Sequence, residues 1–131
     1  MFDHIGLRVQ DLARSLRFYE ALLAPLGVVV CMHDDTYAGL GQPGEPKLWL
    51  HAVSAASSGS ALGPRGVHVA FAAATRAAVD GFYEAGLRAG AKGNGEPGVR
   101  ADYSPDYYAA FLIDPDGNNV EAVCYAREAQ V

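Results

Sequence analysis

The sequence predicts an α+β fold in which two βαβββ modules form a curved mixed β-sheet around a central pocket, with the helices on the outer face. The first observation behind this prediction is an internal repeat. His4 precedes a Phe-Tyr-Glu-Ala run by 14 residues, and His68 precedes an identical run by the same 14 residues. Since both landmarks are offset by 64 residues, about half of the 131-residue chain, they indicate a duplicated module.

The second observation is turn chemistry between two apolar strands, where Asp-Pro-Asp-Gly occupies positions 114–117. Proline presets φ, glycine accepts a positive φ, and the aspartates can bond the nearby backbone, so this segment predicts a β-hairpin. In the strand that leaves the turn, alternation places Glu121 on one face with Asn119, Val123 and Tyr125. Because a glutamate is rarely buried without a partner, Glu121 is expected to meet one there.

Each half of the chain shows the pattern of a strand, a helix and three further strands. Module one (1–53) is predicted to have strands at 2–9, 28–33, 36–40 and 47–53, with a helix that Asp11 caps and Pro25 ends. Module two (67–126) is predicted to have a strand at 67–71, a helix from 75 to 90, a glycine-rich loop at 93–98, a short strand near 99–103 and the hairpin. The small and polar residues 54–66 are predicted to be a linker within one domain, 1–131.

The apolar faces of these strands need the helices as their cover. The opposite faces carry polar and aromatic side chains that are expected to line the hollow side of the sheet, namely His4, Arg8, Trp49, His51, His68, Glu121 and Tyr125. Of Tyr107 and Tyr108, one is expected in the core and the other at the pocket edge with Tyr103; Tyr108 is taken as the pocket residue. A concave pocket with few polar groups on apolar walls is the usual form of a small-molecule site.

Composition and charge exclude several classes of function. A formal net charge of −5 gives no electrostatic reason to expect a nucleic acid or an anionic membrane surface as a partner. No apolar run approaches the roughly 20 residues of a transmembrane helix, and the first residues enter a strand without a targeting signal. Cys31 and Cys124 lie in apolar contexts and are expected to be small buried residues rather than a disulfide. A cytoplasmic protein that binds a small molecule is therefore expected.

Three segments together resemble the vicinal oxygen chelate superfamily, which includes glyoxalase I, extradiol dioxygenases and the bleomycin resistance proteins. They are the strand and helix start at 4–12, the strand at 68–71 and the closing hairpin at 114–121. The resemblance implies paired βαβββ modules, a homodimer and a divalent metal, whose ligands would be His4, His68 and Glu121. Imidazoles with a carboxylate suit zinc, nickel, cobalt, manganese or iron(II).

The resemblance also leaves the reaction open. At Arg8 the chain is similar to glyoxalase I, in which an arginine binds the glutathione carboxylate. The acidic fourth metal ligand of that enzyme has no clear counterpart here, since the strand that would carry it places Trp49 or His51 at this position. The expected function is metal-dependent lyase or isomerase chemistry on a substrate with vicinal oxygens, with Glu121 or a metal-bound hydroxide moving the proton. One alternative is a ligand-sequestering protein of the bleomycin-resistance type, in which Glu121 pairs with Arg8 or accepts hydrogen bonds from His and Tyr. A second alternative is an extradiol-type dioxygenase.

Overall fold

A computed structural model describes residues 2–53 and 67–127, and these residues form two βαβββ modules. The first module contains β1 (Ile5–Val9), α1 (Leu12–Leu23), β2 (Val29–His33), β3 (Tyr37–Gln42) and β4 (Glu45–Ala52). The second contains β5 (His68–Ala72), α2 (Arg76–Arg88), β6 (Lys92–Val99), β7 (Tyr108–Ile113) and β8 (Asn119–Cys124). The predicted α+β class is confirmed, whereas the linker predicted at 54–66 lies outside the described residues.

Both modules fold into a four-stranded mixed sheet with the same strand order. The order is β1-β4-β3-β2 in the first sheet and β5-β8-β7-β6 in the second. The first strand of each module runs parallel to the last one, with Gly6 opposite Trp49 in one sheet and Ala70 opposite Glu121 in the other. Since Gly6 and Ala70 are also 64 residues apart, the structural repeat has the offset that the sequence predicts.

The two helices cover the apolar faces of the sheets and also contact each other. Asp11 caps α1 as predicted, because its carboxylate accepts a hydrogen bond from the backbone N–H of Arg14. Phe18, Tyr19 and Phe82 are buried where the helices meet the sheets and form part of the hydrophobic core. Within the described ranges, no helix is long and apolar enough to cross a membrane.

The turn between β7 and β8 is built around one buried carboxylate, that of Asp114. Its Oδ1 accepts hydrogen bonds from the backbone N–H groups of Asp116 and Asn118, and its Oδ2 accepts one from the side-chain amide of Asn118. Gly117 has a φ of 88°, a left-handed conformation that favours glycine. Asp114 and Gly117 therefore stabilise the hairpin that the sequence predicts.

The same turn also joins the two modules. The hydroxyl of Tyr19, in α1, donates to Asp114 Oδ2. Asp116 accepts hydrogen bonds from the Ser15 hydroxyl and from the backbone N–H of Gln10, both at 3.1 Å. Burial, reinforced by the nearby Asp114 charge, raises the pKa of the Tyr19 phenol far above its usual range, so the phenol remains a donor. The two aspartates of the turn thus hold the first module against the second.

The glycine-rich segment of the second module differs from its prediction. Residues 93–98 were expected to form a loop before a strand at 99–103, but β6 spans Lys92–Val99 and precedes a turn. Two register shifts in its pairing with β7 accommodate the glycines. The Arg100 guanidinium donates to the carbonyl oxygens of Glu96 and Gly98, which holds the end of this irregular strand in place.

Candidate functional site

Glu121 lies in the middle of β8, which has β5 on one side and β7 on the other. Its side chain is only 3% exposed, yet both carboxylate oxygens have partners. Nε2 of His68 lies 3.0 Å from Oε1, and the hydroxyl of Tyr107 donates to Oε2. The partner expected for Glu121 is therefore a histidine on one side and a tyrosine on the other.

Strand register explains why these three side chains meet. Ala70 lies opposite Glu121 in the parallel β5–β8 pair, so His68, two residues earlier, projects from the same face. Phe111 lies opposite Glu121 in the antiparallel β7–β8 pair, and Tyr107, four residues earlier, also projects from that face. The site is thus assembled by three adjacent strands of the second sheet, β5, β8 and β7.

The His68–Glu121 pair joins a buried carboxylate to an imidazole that reaches solvent. The side chain of His68 is 50% exposed, and its ring stacks on Phe111 with 6.3 Å between the ring centroids. Burial and the hydrogen bond to Glu121 raise the pKa of the Tyr107 phenol well above its usual range, so this phenol stays protonated at neutral pH. Tyr107 is therefore a permanent donor to Oε2.

Tyr107 and Tyr108 take opposite sides of the sheet. The Tyr107 ring packs edge to face between Tyr103 and Tyr125, with centroid distances of 5.0 and 5.3 Å. Tyr108 instead turns toward α2, where its hydroxyl donates to Asp80. The structure thus places Tyr107, not Tyr108, beside Glu121, with the exposed Tyr103 next to it.

His68 also lines a groove between the edges of β1 and β5, which we call the β1–β5 groove. This groove has a volume of about 390 Å³, and its walls are mainly apolar, with Ile5, Leu7 and Val69 among the lining residues. Small-molecule sites usually have volumes of about 300–1,000 Å³ and a few polar groups on apolar walls. A small ligand in the groove would therefore have His68 as a polar contact.

His4, the third predicted ligand, does not join the other two. Its Nδ1 lies 2.7 Å from the Asp3 carboxylate, and its side chain is 58% exposed. Across residues 2–53 and 67–127, no three His, Cys, Asp or Glu side chains form a group that could hold a metal ion. The described residues of one chain therefore bring together two of the three predicted ligands, His68 and Glu121.

These two donors fit a divalent metal as neighbouring ligands. Ligands bound about 2.1 Å from a metal and roughly at right angles are about 3.0 Å apart. The distance between His68 Nε2 and Glu121 Oε1 is also 3.0 Å. The pair fits part of a metal site, which a third ligand would have to complete.

In the first sheet, Trp49 occupies the position that corresponds to Glu121, because it lies opposite Gly6 as Glu121 lies opposite Ala70. The indole packs on Gly39, where a Cβ would come within 2.7 Å of Trp49 Cζ3. It also contacts the Tyr37 ring, at 5.9 Å between centroids. The position of an acidic fourth ligand is therefore filled by an aromatic surface.

Arg8 and His51 form the next pair along β1 and β4, and both are exposed. They lie on the same face as Trp49, since alternate residues of a strand share a face. The register thus separates the two candidates for the fourth position, with Trp49 in it and His51 two residues beyond. A role in substrate binding for Arg8, Trp49 and His51 stays a prediction.

Tyr107 and Phe111 are the site residues that the sequence analysis missed. The turn predicted at 114–117 did not identify them, because the number of residues in the connection decides which residues of the two strands face each other. Phe111 is opposite Glu121, and this register brings Tyr107 against Tyr125. A four-residue connection at 114–117 would pair Ile113 with Asn118 and put Tyr108 on the Glu121 face. The observed connection spans 114–118 and pairs Ile113 with Asn119, which puts Tyr107 there instead.

The fold agrees with a comparison of the chain against protein families. Residues 1–122 match the model of the Glyoxalase/Bleomycin resistance protein/Dioxygenase superfamily. The chain therefore belongs to this superfamily, as the sequence resemblance implied. A comparison with curated proteins yields no match.

Solved structures support the same assignment. A glyoxalase/bleomycin resistance protein from Albidiferax ferrireducens T118 is 31% identical, with a TM-score of 0.79 over 95% of this chain and 98% of that one. A glyoxalase/bleomycin resistance protein/dioxygenase family enzyme from Burkholderia phytofirmans PsJN shares the fold at 19% identity, with a TM-score of 0.73 over 95% of this chain and 98% of that one. Because the superfamily includes unrelated chemistries, membership alone does not define the reaction.

The predicted metal site implies that replacing His68 by alanine abolishes metal uptake while the protein stays folded. The side chain is half exposed, so water can reach the freed Glu121 oxygen and the free energy of unfolding should fall by no more than about 1–2 kcal/mol. Zinc titration and thermal unfolding measure the two effects. His51→Ala is the matched control and should retain metal binding, whereas an unfolded His68→Ala protein would indicate a structural histidine.

Proposed function

We propose that the protein is a metal-dependent enzyme of the glyoxalase-like lyase or isomerase type. Its substrate would be a small molecule that presents two vicinal oxygens. The observation that carries this proposal is the His68–Glu121 pair, two donor atoms 3.0 Å apart beside an apolar groove of ligand size. His68 and Glu121 would hold the metal with His4 as the third ligand, and zinc, nickel, cobalt, manganese and iron(II) all suit this donor set.

The metal would supply Lewis acidity for negative charge that develops on a substrate oxygen. Residues of the chain would carry out the proton exchange and exclude water from the site. The Tyr107 hydroxyl occupies Oε2 of Glu121 and Oε1 would hold the metal, so Glu121 would exchange a proton with the substrate only at Oε1 and only when that oxygen is not bound to the metal. Apolar residues of the β1–β5 groove would exclude water, which strengthens electrostatic interactions inside the site.

Completion of the site requires His4 to leave Asp3. The contact that it would give up is an exposed one, and such pairs contribute little to stability. His4 could reach the pair from the same chain or from a second copy, because the two modules of this fold can pair within a chain or across two. We propose a homodimer because dimers are common in this superfamily.

A ligand-binding protein without metal is the second candidate, and one observation favours it. Both oxygens of Glu121 already have protein partners, which matches the alternative in which this carboxylate accepts hydrogen bonds from a histidine and a tyrosine. The partly exposed Trp49 and Tyr37 rings would then offer a surface for a planar or cationic ligand. In this case Glu121 would stabilise the fold and would take no part in a reaction.

Metal analysis of the purified protein separates the two candidates. The protein is equilibrated with zinc, nickel, cobalt, manganese or iron(II), and turnover of an α-dicarbonyl thiohemiacetal and of a catechol panel is followed in parallel. Stoichiometric metal with turnover of the thiohemiacetal supports the proposal, while oxygen-dependent turnover of a catechol indicates the dioxygenase alternative. Tight binding of an aromatic ligand by metal-free protein without turnover would establish the second candidate instead.

A further inference from the structure

We infer that Tyr107 is the positioning residue of the site and holds the Glu121 carboxylate in the orientation that faces His68. This inference rests on the proposed function, in which Glu121 and His68 bind the metal. It concerns a residue that neither the sequence motifs nor the family comparison assigns to the site.

The contacts of Glu121 divide its two oxygens between two neighbours. Oε1 faces His68, while Oε2 accepts the hydrogen bond of the Tyr107 phenol. A carboxylate that is fixed at one oxygen can rotate little, so the phenol determines where the other oxygen points. Without Tyr107, Oε2 would be a charged and unpaired atom in a residue that is only 2% exposed.

Tyr107 is itself held rigidly enough to impose this orientation. Its backbone N–H donates to the Ser104 carbonyl, and its own carbonyl accepts from the Arg100 N–H at 2.7 Å. Its ring packs edge to face between Tyr103 and Tyr125. Edge-to-face aromatic pairs contribute about 0.5–1.5 kcal/mol of stabilisation beyond that of the area that they bury, so these two contacts oppose rotation of the Tyr107 ring.

Residues that orient a metal ligand affect metal affinity although they do not touch the metal. Removing such a partner commonly lowers affinity by about 10- to 100-fold. The same loss is expected when the phenol of Tyr107 is removed, because Glu121 would then spend part of its time turned away from His68. The expected consequence is weaker metal binding by a protein with an intact fold.

Tyr107→Phe tests this inference, with Tyr108→Phe as the matched control. Both substitutions remove one phenol that donates to a carboxylate, and the two residues are neighbours on opposite faces of the sheet. Dissociation constants for zinc are measured by competition with a chromophoric chelator. Tyr107→Phe is expected to weaken zinc binding by about 10- to 100-fold, while Tyr108→Phe should stay within about twofold of the wild type.

A crystal structure of metal-free Tyr107→Phe supplies a readout that does not depend on the metal. Glu121 Oε1 is expected beyond hydrogen-bond distance of His68 Nε2. An unchanged pair, or equal zinc affinity in both variants, would overturn the inference while the proposed metal site stands. A wild type that binds no zinc would instead overturn the proposed function, and the position of Glu121 in the crystal would still decide the role of Tyr107.

Discussion

Glu121→Gln is expected to weaken metal binding by at least about tenfold and to abolish turnover with it. Glutamine keeps the shape and volume of glutamate but removes the only negative charge among the three proposed ligands. A neutral amide neither balances the charge of a divalent cation nor accepts a proton from a substrate. The measurement is a metal titration of both proteins, with turnover followed in the same samples.

Excess metal should restore metal binding to Glu121→Gln but not turnover, because the amide still accepts no proton from the substrate. Glu84→Gln is the matched control, because Glu84 is an exposed carboxylate on α2, and this variant should bind metal as the wild type does. Equal metal affinity in wild type and Glu121→Gln would show that Glu121 does not bind the metal. The binding-protein candidate would then be the better account of the site.

Asp114→Ala is expected to lower the free energy of unfolding by roughly 3–5 kcal/mol, which is large for one substitution. The carboxylate is buried and accepts four hydrogen bonds, from the Asp116 and Asn118 backbones, the Asn118 amide and the Tyr19 hydroxyl. Its removal leaves a fully buried phenol and a buried amide without their partner. Urea denaturation followed by circular dichroism measures the change.

Two controls separate the contributions to this loss. Tyr19→Phe removes only the hydrogen bond between Tyr19 and Asp114 and should cost about 1.5–3 kcal/mol, the range for a hydrogen bond to a charged group. Asp35→Ala, at an exposed position between β2 and β3, should change stability by less than about 0.5 kcal/mol. A change below about 1 kcal/mol in Asp114→Ala would contradict the role of this turn as the junction between the modules.

Much of the fold and part of the site follow from the sequence because strong local signals agree. The repeat offset, the capping Asp11 and the hairpin turn each act over a few residues, and the structure contains all three. The pairing of His68 with Glu121 follows from strand alternation once β5 and β8 are neighbours. Alternation also places Trp49 on the helix-free face of the first sheet, but only the observed register shows that it corresponds to Glu121.

Other features depend on contacts that alternation does not determine. Glycine-rich β6 has weak intrinsic preference for a strand, and the pairing with β7 together with the Arg100 contacts overrides that preference. The turn aspartates have ordinary roles within a hairpin, so their contacts with α1 could not be predicted from the turn alone. His4 lies just before β1, where its neighbour Asp3 competes for the imidazole.

The measurement that tests the metal site most directly is anomalous diffraction from crystals grown with zinc or manganese. The proposed function predicts a peak within about 2.0–2.2 Å of His68 Nε2 and Glu121 Oε1, with the His4 imidazole at the same distance. The Tyr107 hydroxyl should remain on Glu121 Oε2. A map without a peak at this position, in which the His68–Glu121 hydrogen bond persists, would contradict the proposal of a metal-dependent enzyme.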